Sequence, residues 1–122
     1  MKPLTLQGNG IAAAEVTVVK TNQVPVNSIF TALSILAMDL DNTIATLVEI
    51  GISDGTSLTP LDATPGPFAA GTSMTIYWSC VLQTGQCVYA KFSTPSAGDR
   101  LRVIAHGYVI NSLCDHEHEH GY

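Results

Sequence analysis

Charge is scarce in this sequence: Asp, Glu, Lys and Arg together make up 12% of its 122 residues. The five basic residues, Lys2, Lys20, Lys91, Arg100 and Arg102, are scattered along the chain. A nucleic-acid interface needs clustered Lys and Arg to neutralise phosphates, so a chain of formal charge −5 with no basic cluster is not expected to bind nucleic acid. Long apolar runs are missing as well. The longest, around Ile29 to Met38, is far too short to cross a bilayer, and no membrane partner is expected. Gln7-Gly8-Asn9-Gly10 interrupts the N-terminal segment where a signal peptide would need its apolar core, so the expectation is a soluble protein made in a cytoplasm. Cysteine is sparse and odd in number; Cys80, Cys87 and Cys114 read as unpaired thiols rather than a disulfide framework. A glycine-rich phosphate loop is absent. Ser73 and Ser79 have no histidine-and-acid arrangement that the sequence locates, so no nucleophile is implied.

What the sequence does have is strand grammar. Apolar residues make up 46% of the chain, which suits one folded domain with a real core. Turn chemistry recurs at short intervals, at Asn22-Gln23-Val24-Pro25, Asp41-Asn42, Asp54-Gly55, Pro65-Gly66-Pro67, Thr84-Gly85 and Ala97-Gly98-Asp99. Between the turns lie "AEVTVVK", "SIFTALSILAM", "IATLVEIGIS", "SMTIYWSCVL", "QCVYAKFS" and "RLRVIAHGYVI". Several alternate with period two. Met74, Ile76, Trp78, Cys80 and Leu82 share one face, and Leu101, Val103 and Ala105 oppose Arg100 and Arg102. The pattern predicts an all-β fold, an antiparallel, jelly-roll-like β-sandwich of about seven to eight strands. Residues 1–13 are expected to form an extended N-terminal arm, 14–110 the sandwich and 111–122 a flexible tail. A further strand near Leu4 and a short one near Phe68 fit the same pattern. If "SMTIYWSCVL" and "QCVYAKFS" form a hairpin, Thr84-Gly85-Gln86 is its loop, with Cys80 inward and Cys87 outward. Residues 56 to 73 form the one long, Pro- and Gly-punctuated connection, where a rigid scaffold often meets its partner.

Two stretches suggest chemistry. Asp39-Leu40-Asp41-Asn42-Thr43 resembles the first motif of the haloacid dehalogenase-like phosphohydrolases, which use magnesium and a pair of aspartates. That chemistry needs a parallel strand, a following helix, a downstream lysine and a second acidic pair. Here a second strand follows Thr43, and Lys91 is the only lysine downstream. Asp39, Asp41 and Asn42 therefore read as a polar turn whose side chains cap the backbone, and neither enzyme activity nor a cofactor is expected. The second stretch is Cys114-Asp115-His116-Glu117-His118-Glu119-His120. Alternation places His116, His118 and His120 on one side, a candidate chelating set for zinc, nickel or copper. His106, Trp78 and Asp99 read as structural: a histidine on the arginine face, a core side chain, and a turn residue near an arginine.

As a whole the chain resembles small β-sandwich virion proteins of tailed bacteriophages, over roughly residues 12 to 110. "EVTVVKTNQVPVNSIFTALSILAMDLDNTIATLVEIGI" is similar to their opening, a strand, a Val-Pro turn and two long strands joined by a polar turn. "AAGTSMTIYWSCVLQTGQCVYAKFSTPSAGDRLRVIAHGYVI" is similar to their close, which runs through an Ala-Gly-Asp turn to a final strand ending in Gly-aromatic. The chain departs from them at "VPVNS" and in the His-rich tail. The resemblance implies a structural virion protein at the capsid surface, a decoration (cement) protein bound to the major capsid protein or other virion proteins as a homo-oligomer, with a trimer expected. A neck, tail or baseplate accessory role is the alternative it leaves open. A carbohydrate-binding sandwich is another, with Tyr77, Tyr89 and Tyr108 on outward positions.

Overall fold

The computed structural model describes residues 1–13, 15–77 and 79–111. Trp78, Cys114 and the tail histidines His116, His118 and His120 lie outside the described residues. The elements are all strands: β1 (Lys2–Ile11), β2 (Thr17–Lys20), β3 (Ser28–Asp39), β4 (Val48–Ser53), β5 (Leu58–Thr64), β6 (Ser73–Ile76), β7 (Cys80–Leu82), β8 (Cys87–Phe92) and β9 (Arg100–Asn111).

They form two sheets in which every pairing is antiparallel. One sheet runs β1-β9-β3-β6, with β7 also on β3; the other runs β2-β8-β4-β5. Taking β6 and β7 together, successive strands alternate between the sheets except for the β4–β5 hairpin within the smaller one, and the last strand lies beside the first, which is the jelly-roll path expected from the alternating segments. The count is nine segments rather than seven or eight, because "SMTIYWSCVL" is broken in two. β6 and β7 occupy one strand position, and both pair with β3. The break lies opposite a bulge at Leu33 in β3, where the register shifts between Ala32 and Ser34. Beyond the bulge the inward face changes from Phe30 and Ala32 to Ile35 and Ala37.

The core lies between the two sheets. Phe30, Leu82, Leu101 and Val103 of the larger sheet meet Val48, Ile50, Val88 and Phe92 of the smaller one, all at most 1% exposed. Each such side chain contributes about 1.5–3 kcal/mol on leaving water. The inward parity of Met74, Ile76, Leu82, Val88, Ala90 and Phe92 is as the alternation predicts.

Three expectations need correction. Residues 1–13 are not an arm lying outside the sandwich. Leu4, Leu6 and Gly8 alternate inward, and β1 pairs with β9 along its whole length, from Lys2 opposite Val109 to Ile11 opposite Arg100. The hairpin across Thr84-Gly85-Gln86 does not form either. β7 belongs to the larger sheet and β8 to the smaller, so this turn crosses between layers, held by Val24 through its N–H to Gln86 and its carbonyl to Gly85. Finally, the 56–73 connection is a strand for part of its length. β5 pairs with β4 through a bulge that leaves Leu61 without a cross-strand partner.

Candidate functional site

The outer faces of the two sheets differ in chemistry. On the smaller sheet the outward positions carry charge: Lys20 on β2, Glu49 on β4 and Lys91 on β8, the last two directly opposite one another. On the larger sheet the outward positions of the central strands are mostly apolar. Ile29 faces Ile110, Leu36 faces Ile104, and Thr31 lies between Tyr108 and Val81. Ile29, Leu36, Ile104, Tyr108 and Ile110 are partly exposed, and around the bulge Leu33 and Val81 are about half exposed, at 50% and 53%. Two arginines and a histidine on β9 make the polar contacts here. Arg102 donates to Asn9 at 2.8 Å, Arg100 pairs with Asp41 at 2.8 Å, and His106 lies beside Thr5 at 3.2 Å.

One end of the same sheet carries an acidic corner. β3 ends at Asp39, which is 2% exposed. Its Oδ1 accepts the backbone N–H groups of Asp41 at 2.9 Å and Asn42 at 3.1 Å, the capped turn the sequence predicts. The turn before β9 delivers Asp99, 5% exposed, whose Oδ1 accepts from Asn42 Nδ2 at 2.5 Å. Asp41 turns outward and takes a fork of donors from Arg100, including its backbone N–H at 2.7 Å. The guanidinium holds the Asp41 carboxyl below the usual carboxylate range. Asp39 goes the other way: burial, and then the Asp99 carboxyl beside it, raise it against the pull of the two capping N–H groups. The phosphohydrolase setting is not formed around these residues. Asp39 closes an antiparallel strand, and the chain continues through an Ile44–Phe68 bridge into β4.

The other singled-out residues are dispersed. Tyr77 is exposed at the β6–β7 break and Tyr108 is partly exposed on β9, but Tyr89 is fully buried on the smaller sheet. The three tyrosines therefore form no shared platform. Cys80 packs against the core and Cys87 lies on the outer side of its strand; both are free thiols. Burial raises both thiols, so neither is an activated nucleophile. Sequence reasoning missed the meeting of Asp99 with Asp39. The two residues are far apart in the chain, and only the pairing of β3 with β9 brings them together.

No family model and no curated protein matches the chain. Among solved structures, it aligns over 87% of its length with an arabinose-bound MgGH51 α-L-arabinofuranosidase, at 9% identity and TM-score 0.48, spanning 19% of that chain. Murine APRIL aligns over 85% of this chain and 99% of its own, at 13% identity and TM-score 0.47. A virus-like particle of the giant freshwater prawn Macrobrachium rosenbergii extra small virus is similar over 86% of this chain and 77% of its own, at 10% identity and TM-score 0.39. Likenesses at this level assign neither a family nor a function to the chain.

Proposed function

We propose that this chain is a structural virion protein, a decoration (cement) protein that binds an assembled capsid as a symmetric homo-oligomer, most simply a trimer. The observation that carries this reading is the asymmetry between the sheets, one outer face charged and the other a partly exposed apolar surface. A closed oligomer repeats that surface around an axis, and contacts too weak singly then add through multivalency. β1 is an edge strand of the larger sheet and offers a second contact by strand addition on either side of Gln7, whose own N–H and carbonyl are bonded to Asn22. A neck, tail or baseplate position would use the same surfaces.

The test is twofold. The purified chain is sized by light scattering over a concentration series, and it is mixed with undecorated capsids of its source phage and sedimented. The expected result is a discrete oligomer that cosediments with capsids at saturable stoichiometry. A chain that stays monomeric at high concentration and never pellets with capsids overturns the reading. An oligomer that binds isolated tails but not shells moves it to the accessory role.

A further inference from the structure

We propose that the acidic corner formed by Asp39, Asp41 and Asp99 is a binding site for one calcium ion, independent of the virion role. One ligand oxygen from each of the three carboxylates lies within 4.8 Å of the others. Two oxygens bound to one calcium at about 2.4 Å can be at most about 4.8 Å apart, so each pair of these carboxylates is close enough to share one ion. The donors are all oxygens, which selects a hard cation over zinc or copper.

The second observation is Asp99 Oδ2. This oxygen is buried and has no hydrogen-bond partner, in a side chain only 5% exposed. The other oxygen of the same carboxylate accepts from Asn42 Nδ2 at 2.5 Å, which fixes the orientation of the group. The Asp99 carboxylate faces Asp39, itself 2% exposed, rather than a cation of the chain. Two carboxylates in contact need either a proton or a metal ion between them. Arg100 bonds Asp41 and is the cation recorded at this corner among the described residues, so Asp39 and Asp99 face one another with no side-chain cation bonded to either. Arg100 meets Asp41 from the solvent side, where its own side chain is 65% exposed, so the guanidinium does not fill the space between Asp39 and Asp99.

The corner is also held firmly enough to bind. The Leu40 N–H donates to the Arg100 carbonyl at 2.9 Å, and the Gly71 N–H to the Asp39 carbonyl at 2.8 Å. The Ala12 N–H donates to the Asp99 carbonyl at 2.8 Å. Four chain segments are thereby tied to one spot, and an ion there clamps the end of β3 to the start of β9.

The full chain is stripped with EDTA and titrated with calcium chloride by isothermal calorimetry, and its melting temperature is followed with and without calcium. One saturable calcium per chain is expected, with a melting temperature higher by roughly ten degrees at a hundredfold excess over Kd and reversed by EDTA. Asp99→Asn, which keeps shape and removes charge, is expected to weaken calcium binding at least tenfold. Asp41→Asn, at the exposed rim, is expected to weaken it less while folding normally by circular dichroism. The proposal is overturned if calcium gives no heat and no shift in melting. It is also overturned if Asp99→Asn binds as tightly as the parent, which would place the ion elsewhere. A third result against it is Asp99→Asn melting higher than the parent while calcium has no effect, the mark of a proton shared by Asp39 and Asp99.

Discussion

Tyr89 illustrates what alternation reveals at the scale of a residue and what it conceals. Its parity sets it on the outer side of β8, opposite Val88 and Ala90, and that much was legible. Its complete burial was not, because it depends on a neighbour with no side chain. Gly51 is its cross-strand partner, and a Cβ there would lie 2.7 Å from the tyrosine ring and also against the Thr59 carbonyl of β5. The ring folds over the glycine, and its hydroxyl donates to Glu49 Oε2 at 2.6 Å. Burial and this carboxylate push the phenol well above its ordinary value, which keeps it a donor to Glu49 at neutral pH. Gly51→Ala is expected to cost about 3 kcal/mol or more, since a backbone carbonyl cannot yield to the new methyl. Tyr89→Phe, which loses one hydrogen bond and leaves the packing, is expected to cost about 1 kcal/mol. Chemical denaturation of both variants checks the order. Asp54 gives a pH dependence of known sign. The N–H groups of Ser57 and Thr56, at 2.8 and 3.0 Å, hold its carboxyl below the ordinary 3.8. A depressed folded-state value stabilises above the unfolded one, and the gain disappears as the pH falls from about 4 through the lowered value. Asp54→Ala is therefore expected to melt below the parent at pH 7, with the difference closing in acid; melting curves from pH 7 to 2 measure it.

At the scale of elements, the long strands were readable because their alternation runs over many residues, as in Leu101, Val103 and Ala105 of β9. The bulge in β3 was not. "SIFTALSILAM" is apolar on both faces, so the change of parity after Leu33 leaves no mark in hydrophobicity. The β6–β7 break was hidden for the same reason: the even-numbered residues of "SMTIYWSCVL" keep their parity across it, so the sequence reads as one strand. The missed hairpin has a different cause. A turn that crosses between sheets and one that folds back within a sheet use the same Thr-Gly residues, and only the distant partner of β7 distinguishes them. The bulge takes up one extra residue between two stretches that are already in register with β9. Deleting Leu33 restores a regular strand, with Ala32 followed by Ser34 and with Ile35, Ala37 and Asp39 still facing inward. The deletion is therefore expected to keep cooperative unfolding, and Leu33→Ser at the same half-exposed position is expected to shift monomer stability by no more than about 0.5 kcal/mol. Thermal melts followed by circular dichroism check both; loss of the cooperative transition in the deletion would show that the bulge is required by the fold.

At the scale of the whole molecule, the acidic corner, the edge strand β1 and the apolar face all belong to the larger sheet, while the smaller sheet carries the Lys20, Glu49 and Lys91 charges of a solvated wall. A jelly roll buries one face of each sheet by construction and leaves the other two free, so the composition of the free faces decides which way the molecule meets its neighbours. The sequence encodes that choice at Ile29, Leu36, Ile104 and Ile110, but the strand order had to be known before those residues formed one surface. The consequence is a directional test of assembly. Ile104→Glu places a carboxylate in the middle of the apolar face, beside Leu36. Val18→Glu makes the same change on the opposite wall, where Val18 is 39% exposed and Lys91 lies across from it. Desolvating an unpaired carboxylate at an interface costs several kcal/mol, so under the proposed decoration role Ile104→Glu is expected to prevent self-association at micromolar concentration and cosedimentation with capsids. Val18→Glu is expected to do neither, since its new charge stays in water near a lysine. Light scattering and capsid sedimentation of the pair decide it, and equal loss of assembly in both variants would remove the apolar face from the account of how this protein associates.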